Sequence, residues 1–178
     1  MKYYTYLDLD WKPVAERLKH FVLDNKDMLG YSIGGWRTLS LTNLGDILPD
    51  LILMLKPLNI SPVAVSFHIV HTSEGTSIHR DAVKYNTRRI LLPIMNCEGS
   101  VTRFYKSQLP TITIHQENGV SYDKINSNMC ELVDEYCLEK PVAFRPNEYH
   151  RVFPNNNNSF PRISCPIDVD KDLDYLFK

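Results

Sequence analysis

A mainly β chain with supporting helices at its front is the fold class the sequence predicts, and three observations predict it. Short segments rich in β-branched and aromatic residues follow one another from Pro62 onward: PVAVSFHIVH, TRRILLPI, VTRFY, TITIH, CELVDEYCL, PVAFR and RISCPID. Turn signals separate them, namely EGTS, NCEGS, QLP, ENG, RPNE and PNNNNSFP. The composition agrees, with 11 Pro against only 7 Gly, and 10 Tyr and 7 Phe, a balance that favours strands over helices. Many short strands at this spacing imply an antiparallel sandwich or barrel. A chain of 178 residues is long enough to bury one core. A single domain over 1–178 is expected, with a helical support region over 1–60 and a β-barrel core over 61–170.

The front of the chain carries the helices. Asp10 is placed to cap, Pro13 suits a first turn, and Val14, Leu18, Phe21 and Val22 recur at helical spacing. This helix should end between Asn25 and Gly30. The segment YSIGGWRTLSLTN, with its Gly34-Gly35 pair, reads as looser. A second helix is expected over Leu44 to Leu55, stopped by Pro57. Trp11, Trp36 and the front tyrosines read as packing residues.

Several function classes fall away. A net charge of -1 argues against a general nucleic-acid binder, whose affinity rests on many Lys and Arg contacts to phosphate. The N-terminus MKYYTYLDLDWKP has no signal-peptide pattern, and the longest apolar stretch, around Leu51 to Leu55, is too short to span a bilayer. A soluble, cytoplasmic protein with no membrane partner is expected. Cys97, Cys130, Cys137 and Cys165 form no CxxC pair and match no zinc spacing, so they read as reduced thiols packed as small apolar residues.

The chemistry is carried by three pieces. In SIHRD, His79 and Asp81 are two apart, so on a strand they face the same side. In NEYHRV, His150 follows the strand PVAFR and precedes a turn. Two His and one carboxylate make the facial triad of non-haem Fe(II) oxygenases, which leaves the opposite positions of the octahedron open. The third piece is PRIS, where Arg162 and Ser164 again share a face. A guanidinium fork with a neighbouring hydroxyl suits a carboxylate, and a buried Arg needs an anionic partner. Plainer readings exist for each piece. His79 and Asp81 can be a surface strand with an ion pair to Arg80 or Lys84. His150 can be a turn histidine, and Arg162 can pair with Asp168 or Asp170. His68 and His71 lie three apart and so face opposite sides; they read as ordinary strand histidines, at most one of which faces a pocket.

Together, His79-x-Asp81, His150 and Arg162-x-Ser164 resemble the Fe(II)/2-oxoglutarate-dependent dioxygenase family. The closest stretch is CELVDEYCLEKPVAFRPNEYHRVFPNNNNSFPRISCPID, and the resemblance spans roughly Pro62 to Asp168. It implies a double-stranded β-helix, a cupin-like jelly roll with the metal at the barrel mouth. His79, Asp81 and His150 would bind Fe(II), and Arg162 and Ser164 would hold the distal carboxylate of 2-oxoglutarate. Arg88 is a secondary candidate for co-substrate binding by partial similarity to aspartyl/asparaginyl β-hydroxylase-like members, which lack the carboxylate ligand. Tyr105 is a further pocket candidate. The implied reaction is hydroxylation with dioxygen, with release of succinate and CO2. A cupin-like metalloenzyme that does not use 2-oxoglutarate and a non-catalytic jelly-roll binding or structural module remain as alternatives. Specificity in such a fold comes from mouth loops, here Gly30 to Asn43, Thr72 to Ser77 and Gln116 to Asn128. A small-molecule or peptide substrate is expected, with an amino-acid or peptidyl side chain as the target and nucleic acid disfavoured.

Overall fold

The structure is a computed structural model that describes residues 1–32, 34–81, 89–107, 112–115, 121–125, 130–155 and 160–177. Two six-stranded antiparallel sheets dominate it. In chain order the elements are β1 (Tyr4–Tyr6), α1 (Lys12–Asp24), β2 (Gly35–Leu39), α2 (Ile47–Leu55), β3 (Pro62–Val70), β4 (His79–Asp81), β5 (Arg89–Met95), β6 (Val101–Lys106), β7 (Ile112–His115), β8 (Ser121–Lys124), β9 (Glu131–Cys137), β10 (Val142–Phe144), β11 (Tyr149–Phe153) and β12 (Arg162–Val169). The larger core sheet runs β1-β10-β5-β12-β3-β2, and the second sheet runs β7-β8-β4-β11-β6-β9.

Three layers result. Both helices cover the outer face of the first sheet. Leu18 and Val22 of α1 and Leu51 and Leu55 of α2 pack into one cluster with Val65, Phe67, Ile69, Ile90, Leu92, Ile163, Cys165 and Ile167. Each fully buried Leu or Phe in that cluster contributes roughly 1.5–3 kcal/mol. The inner face of the same sheet meets the second sheet across a smaller cluster that includes Tyr3, Leu91, Phe104, Tyr136 and Phe144. Strand β12 shows the consequence of burial on both faces. Ile163, Cys165 and Ile167 point to the helices, while Arg162, Ser164 and Pro166 point to the facing sheet. Every residue from Arg162 to Ile167 is therefore buried.

Several front-end expectations need correction. The region over 1–60 is not only helical: it donates β1 and β2, the two edge strands of the first sheet. Tyr4, Thr5 and Tyr6 pair with Phe144, Ala143 and Val142, and Trp36 to Leu39 pair with His68 to Val65. Both segments have the aromatic and β-branched content of strands, but only pairing to a distant partner makes such short pieces ordered. Trp11, not Asp10, occupies the cap position of α1, with no side-chain cap bond; its indole packs on the core instead. Helix α2 begins at Ile47, after a 3-10 turn over Leu41–Leu44, and Pro57 lies in the 3-10 turn that ends it. Cys97 and Cys165 are buried, and the Cys97 thiol donates to Ile163 O at 3.0 Å. No helix among the described residues is long and apolar enough to cross a membrane.

Candidate metal centre

Strand β4 is only three residues long, and its period-two geometry puts His79 and Asp81 on the inner side of the second sheet. Its neighbour β11 places His150 directly opposite His79. His150 is thus a strand residue rather than the end of a turn, and its ring centroid lies 4.5 Å from that of His79. One ligand atom from each of His79, Asp81 and His150 falls within 4.8 Å of the others. Metal–ligand bonds of about 2.0–2.2 Å close such a cluster around one ion with small side-chain shifts.

Local backbone sets the orientation of each ligand. His79 Nδ1 lies 2.8 Å from Ser77 O, and His150 Nδ1 lies 2.9 Å from Glu148 O. A carbonyl only accepts, so each Nδ1 carries the proton and each Nε2 offers its lone pair to the cluster. His79 Nε2 sits 3.5 Å from Asp81 Oδ1. The turn between β10 and β11 serves two ligands at once: Pro146 O accepts the Asp81 N–H at 2.8 Å, and Glu148 O holds His150. The loop over 72–77 is pinned to β11 by Thr76 N–H donating to Val152 O and by Val152 N–H donating to Thr76 Oγ1, both at 3.0 Å. Gly75 permits that approach. Its φ is +73°, and a Cβ there would lie 2.0 Å from Val152 O.

The electrostatics favour a neutral His150 imidazole and an ionised Asp81 carboxylate, the states a cation needs in these ligands. Burial, reinforced by His79, lowers the His150 pKa to about 4. Burial alone would raise the Asp81 pKa, but His150, Arg89 and His79 together outweigh it and hold the carboxyl below its ordinary value. Phe104 and Phe144 pack around His150 and keep that side apolar.

Across the sandwich, Arg162 is 1% exposed and lines the same narrow cavity, of about 50 Å³, as the His79–Asp81–His150 cluster. Its Nη1 donates to Ser164 Oγ at 3.1 Å, while Nε and Nη2 have no hydrogen-bond partner among the described residues. Two more polar atoms there are buried without a partner of good geometry, the Thr102 and Tyr136 hydroxyls. A buried guanidinium with unmet donors costs several kcal/mol. A carboxylate entering the cavity would meet those donors, so the residues present fit an anionic co-substrate beside a metal.

The remaining sequence candidates fare differently. Arg88 lies outside the described residues. Its neighbour Arg89 faces the site: Nη1 donates to Asp81 Oδ2 at 2.7 Å and Nε to Asp168 Oδ1 at 2.5 Å. Asp168 therefore pairs with Arg89 rather than Arg162. Tyr105 does not line the cavity; on β6 the buried residues are Thr102 and Phe104, and Tyr105 takes the opposite, solvent side beside Tyr149. His68 does face the cavity, and burial with the nearby Arg162 lowers its pKa to about 3; His71 instead bonds Tyr31 O. Trp36, expected to be packing only, lines the cavity with His68. Thr102, Tyr136 and Arg89 were not singled out from the sequence. None of the three had a usable sequence signal, because the role of Arg89 depends on the strand opposite it and those of Thr102 and Tyr136 on which sheet faces which.

No protein-family model matches the sequence, and no curated protein matches it. Among solved structures, the crystal structure of a Pseudomonas putida prolyl-4-hydroxylase is similar over 91% of this chain and 96% of that chain, at 13% identity and a TM-score of 0.29. A superposition of that quality does not establish a common fold.

Proposed function

We propose that this chain is an Fe(II)- and 2-oxoglutarate-dependent oxygenase on a double-stranded β-helix, hydroxylating an amino-acid or peptidyl side chain. One arrangement supports this above all. A His-Asp-His cluster on one sheet and a buried Arg with unmet donors on the facing sheet share a single cavity. A metal alone would account for the first half; the second half calls for an anion beside it.

In this proposal His79 Nε2, His150 Nε2 and Asp81 Oδ1 hold the iron. Arg162 Nε and Nη2 bind the distal carboxylate, with the Ser164, Thr102 and Tyr136 hydroxyls as further donors. Bound iron(II) would activate O2, which is the oxidant; 2-oxoglutarate would give two electrons by oxidative decarboxylation to succinate and CO2, and the substrate C–H bond the other two, with one oxygen atom in succinate and the other in the hydroxylated product. The chain's part is to bind, orient and exclude water. Phe104, Phe144 and Leu91 line or back the cavity with apolar surface.

An anaerobic titration tests the proposal. Fe(II) added to the protein, followed by 2-oxoglutarate, should produce a visible metal-to-ligand charge-transfer band. Arg162→Ala should bind Fe(II) normally and lose 2-oxoglutarate affinity by about 30-fold or more, the scale of a charge-assisted bidentate contact. Metal binding with no band would leave the cupin-like alternative without 2-oxoglutarate; no metal binding would leave the non-catalytic one.

A further inference from the structure

We propose that Arg89 is the positioning residue of the metal centre: it holds Asp81 by Oδ2 so that Oδ1 alone turns to the ion. The inference rests on the metal-binding half of the proposed function.

Three strands meet at this guanidinium. Arg89 lies on β5 directly opposite Asp168 of β12, and both belong to the helix-backed sheet. Asp81 belongs to β4 of the facing sheet. The Arg89 fork spans the gap, with Nε on Asp168 Oδ1 and Nη1 on Asp81 Oδ2. Its Cζ lies over the Trp36 ring, 5.0 Å from the centroid, and its side chain is 9% exposed. The guanidinium is therefore held at Nε, at Nη1 and against the indole. Strand β12 also carries Arg162, so the Asp81–Arg89–Asp168 strap links a proposed metal ligand to the strand bearing the proposed co-substrate clamp.

Charge acts in two directions here: Arg89 favours the ionised Asp81 carboxylate, yet a positive group beside a cation site opposes cation binding. At neutral pH, with Asp81 ionised in either protein, removing Arg89 as a charge alone would tighten metal binding. If it acts by geometry, removal lets the Asp81 carboxylate rotate, and binding weakens despite the lost repulsion. Lysine keeps the charge but has no fork, so it cannot grip both carboxylates in this planar geometry. The sign of the effect separates the two roles.

The experiment is an anaerobic Co(II) titration of the whole protein, read by calorimetry and by the visible d–d band, with the metal-free melting temperature as a folding control. Arg89→Ala should weaken Co(II) binding 10- to 100-fold, the range seen for groups that orient ligands, and change the band shape as the coordination changes. Arg89→Lys should weaken it by a smaller factor. Asp168→Asn should weaken it several-fold on its own and add nothing in the Arg89→Ala background. Unchanged or tighter binding by Arg89→Ala overturns the inference. If Arg89→Ala does not fold, unchanged binding by Asp168→Asn overturns it instead. A wild-type protein that binds no Co(II) overturns the metal centre itself, a result distinct from failure of the Arg89 role.

Discussion

His79 and His150 are oriented by the same small device, an Nδ1–H given to the carbonyl two residues earlier. It needs only the local turn, and it leaves Nε2 of each ring with nowhere to point but the cluster. Asp81 is held at Oδ2 by Arg89, and its Oδ1 faces His79 Nε2 at 3.5 Å. His79→Ala and Asp81→Ala should each lower divalent-metal affinity by at least two orders of magnitude, read by calorimetry, since each removes a ligand outright. At the other wall, the Tyr136 hydroxyl is buried without a well-placed partner, and burial raises its pKa. Tyr136→Phe removes a buried hydroxyl whose polar neighbour is the Thr102 side chain across the strand pair. The metal-free protein should therefore change in stability by no more than about 1 kcal/mol, while 2-oxoglutarate binding weakens several-fold and metal binding is unchanged. A loss of stability with normal 2-oxoglutarate binding would remove Tyr136 from the proposed clamp.

At the scale of elements, the site is a product of β4, a three-residue strand that has little to hold it by itself. It pairs with β8 on one side and with β11 on the other through His79 and His150. The loop before it is fastened to β11 at Thr76 and threaded past Val152 at Gly75. Gly75→Ala puts a methyl into the Val152 carbonyl at a positive φ. It should cost more than about 1 kcal/mol in urea unfolding and, by displacing Ser77, also weaken metal binding. A Gly75→Ala protein with native stability and metal affinity would mean that the loop has another way past the strand.

For the molecule as a whole, the cavity between the sheets stores two neutral histidines. The folded pKa of His150 is about 4 and that of His68 about 3, both depressed from 6.5 chiefly by burial. Below pH 6.5 the unfolded chain takes up protons that the folded protein refuses, so stability falls as the pH drops toward 4 and is fully present above 6.5. At pH 5 each histidine should cost on the order of 2 kcal/mol relative to pH 7. Urea midpoints of the metal-free protein at the two pH values read this directly. A midpoint independent of pH over that window would show that the two rings are hydrated in solution.

Much of this was legible in the chain itself because strand periodicity is local. The rule that residues two apart share a face was enough to join His79 with Asp81 and Arg162 with Ser164, and the punctuated β segments were enough to place most strands of the core. The short edge strands β1 and β2, the pairing of Asp168 with Arg89, and the cavity-facing Thr102 and Tyr136 were not legible, since each depends on which distant segment lies opposite. The sequence determined the residue types and their faces. Only the tertiary structure decided that the two faces meet, because sheet pairing and sheet-on-sheet packing are contacts between segments far apart in the chain, and no local propensity encodes them.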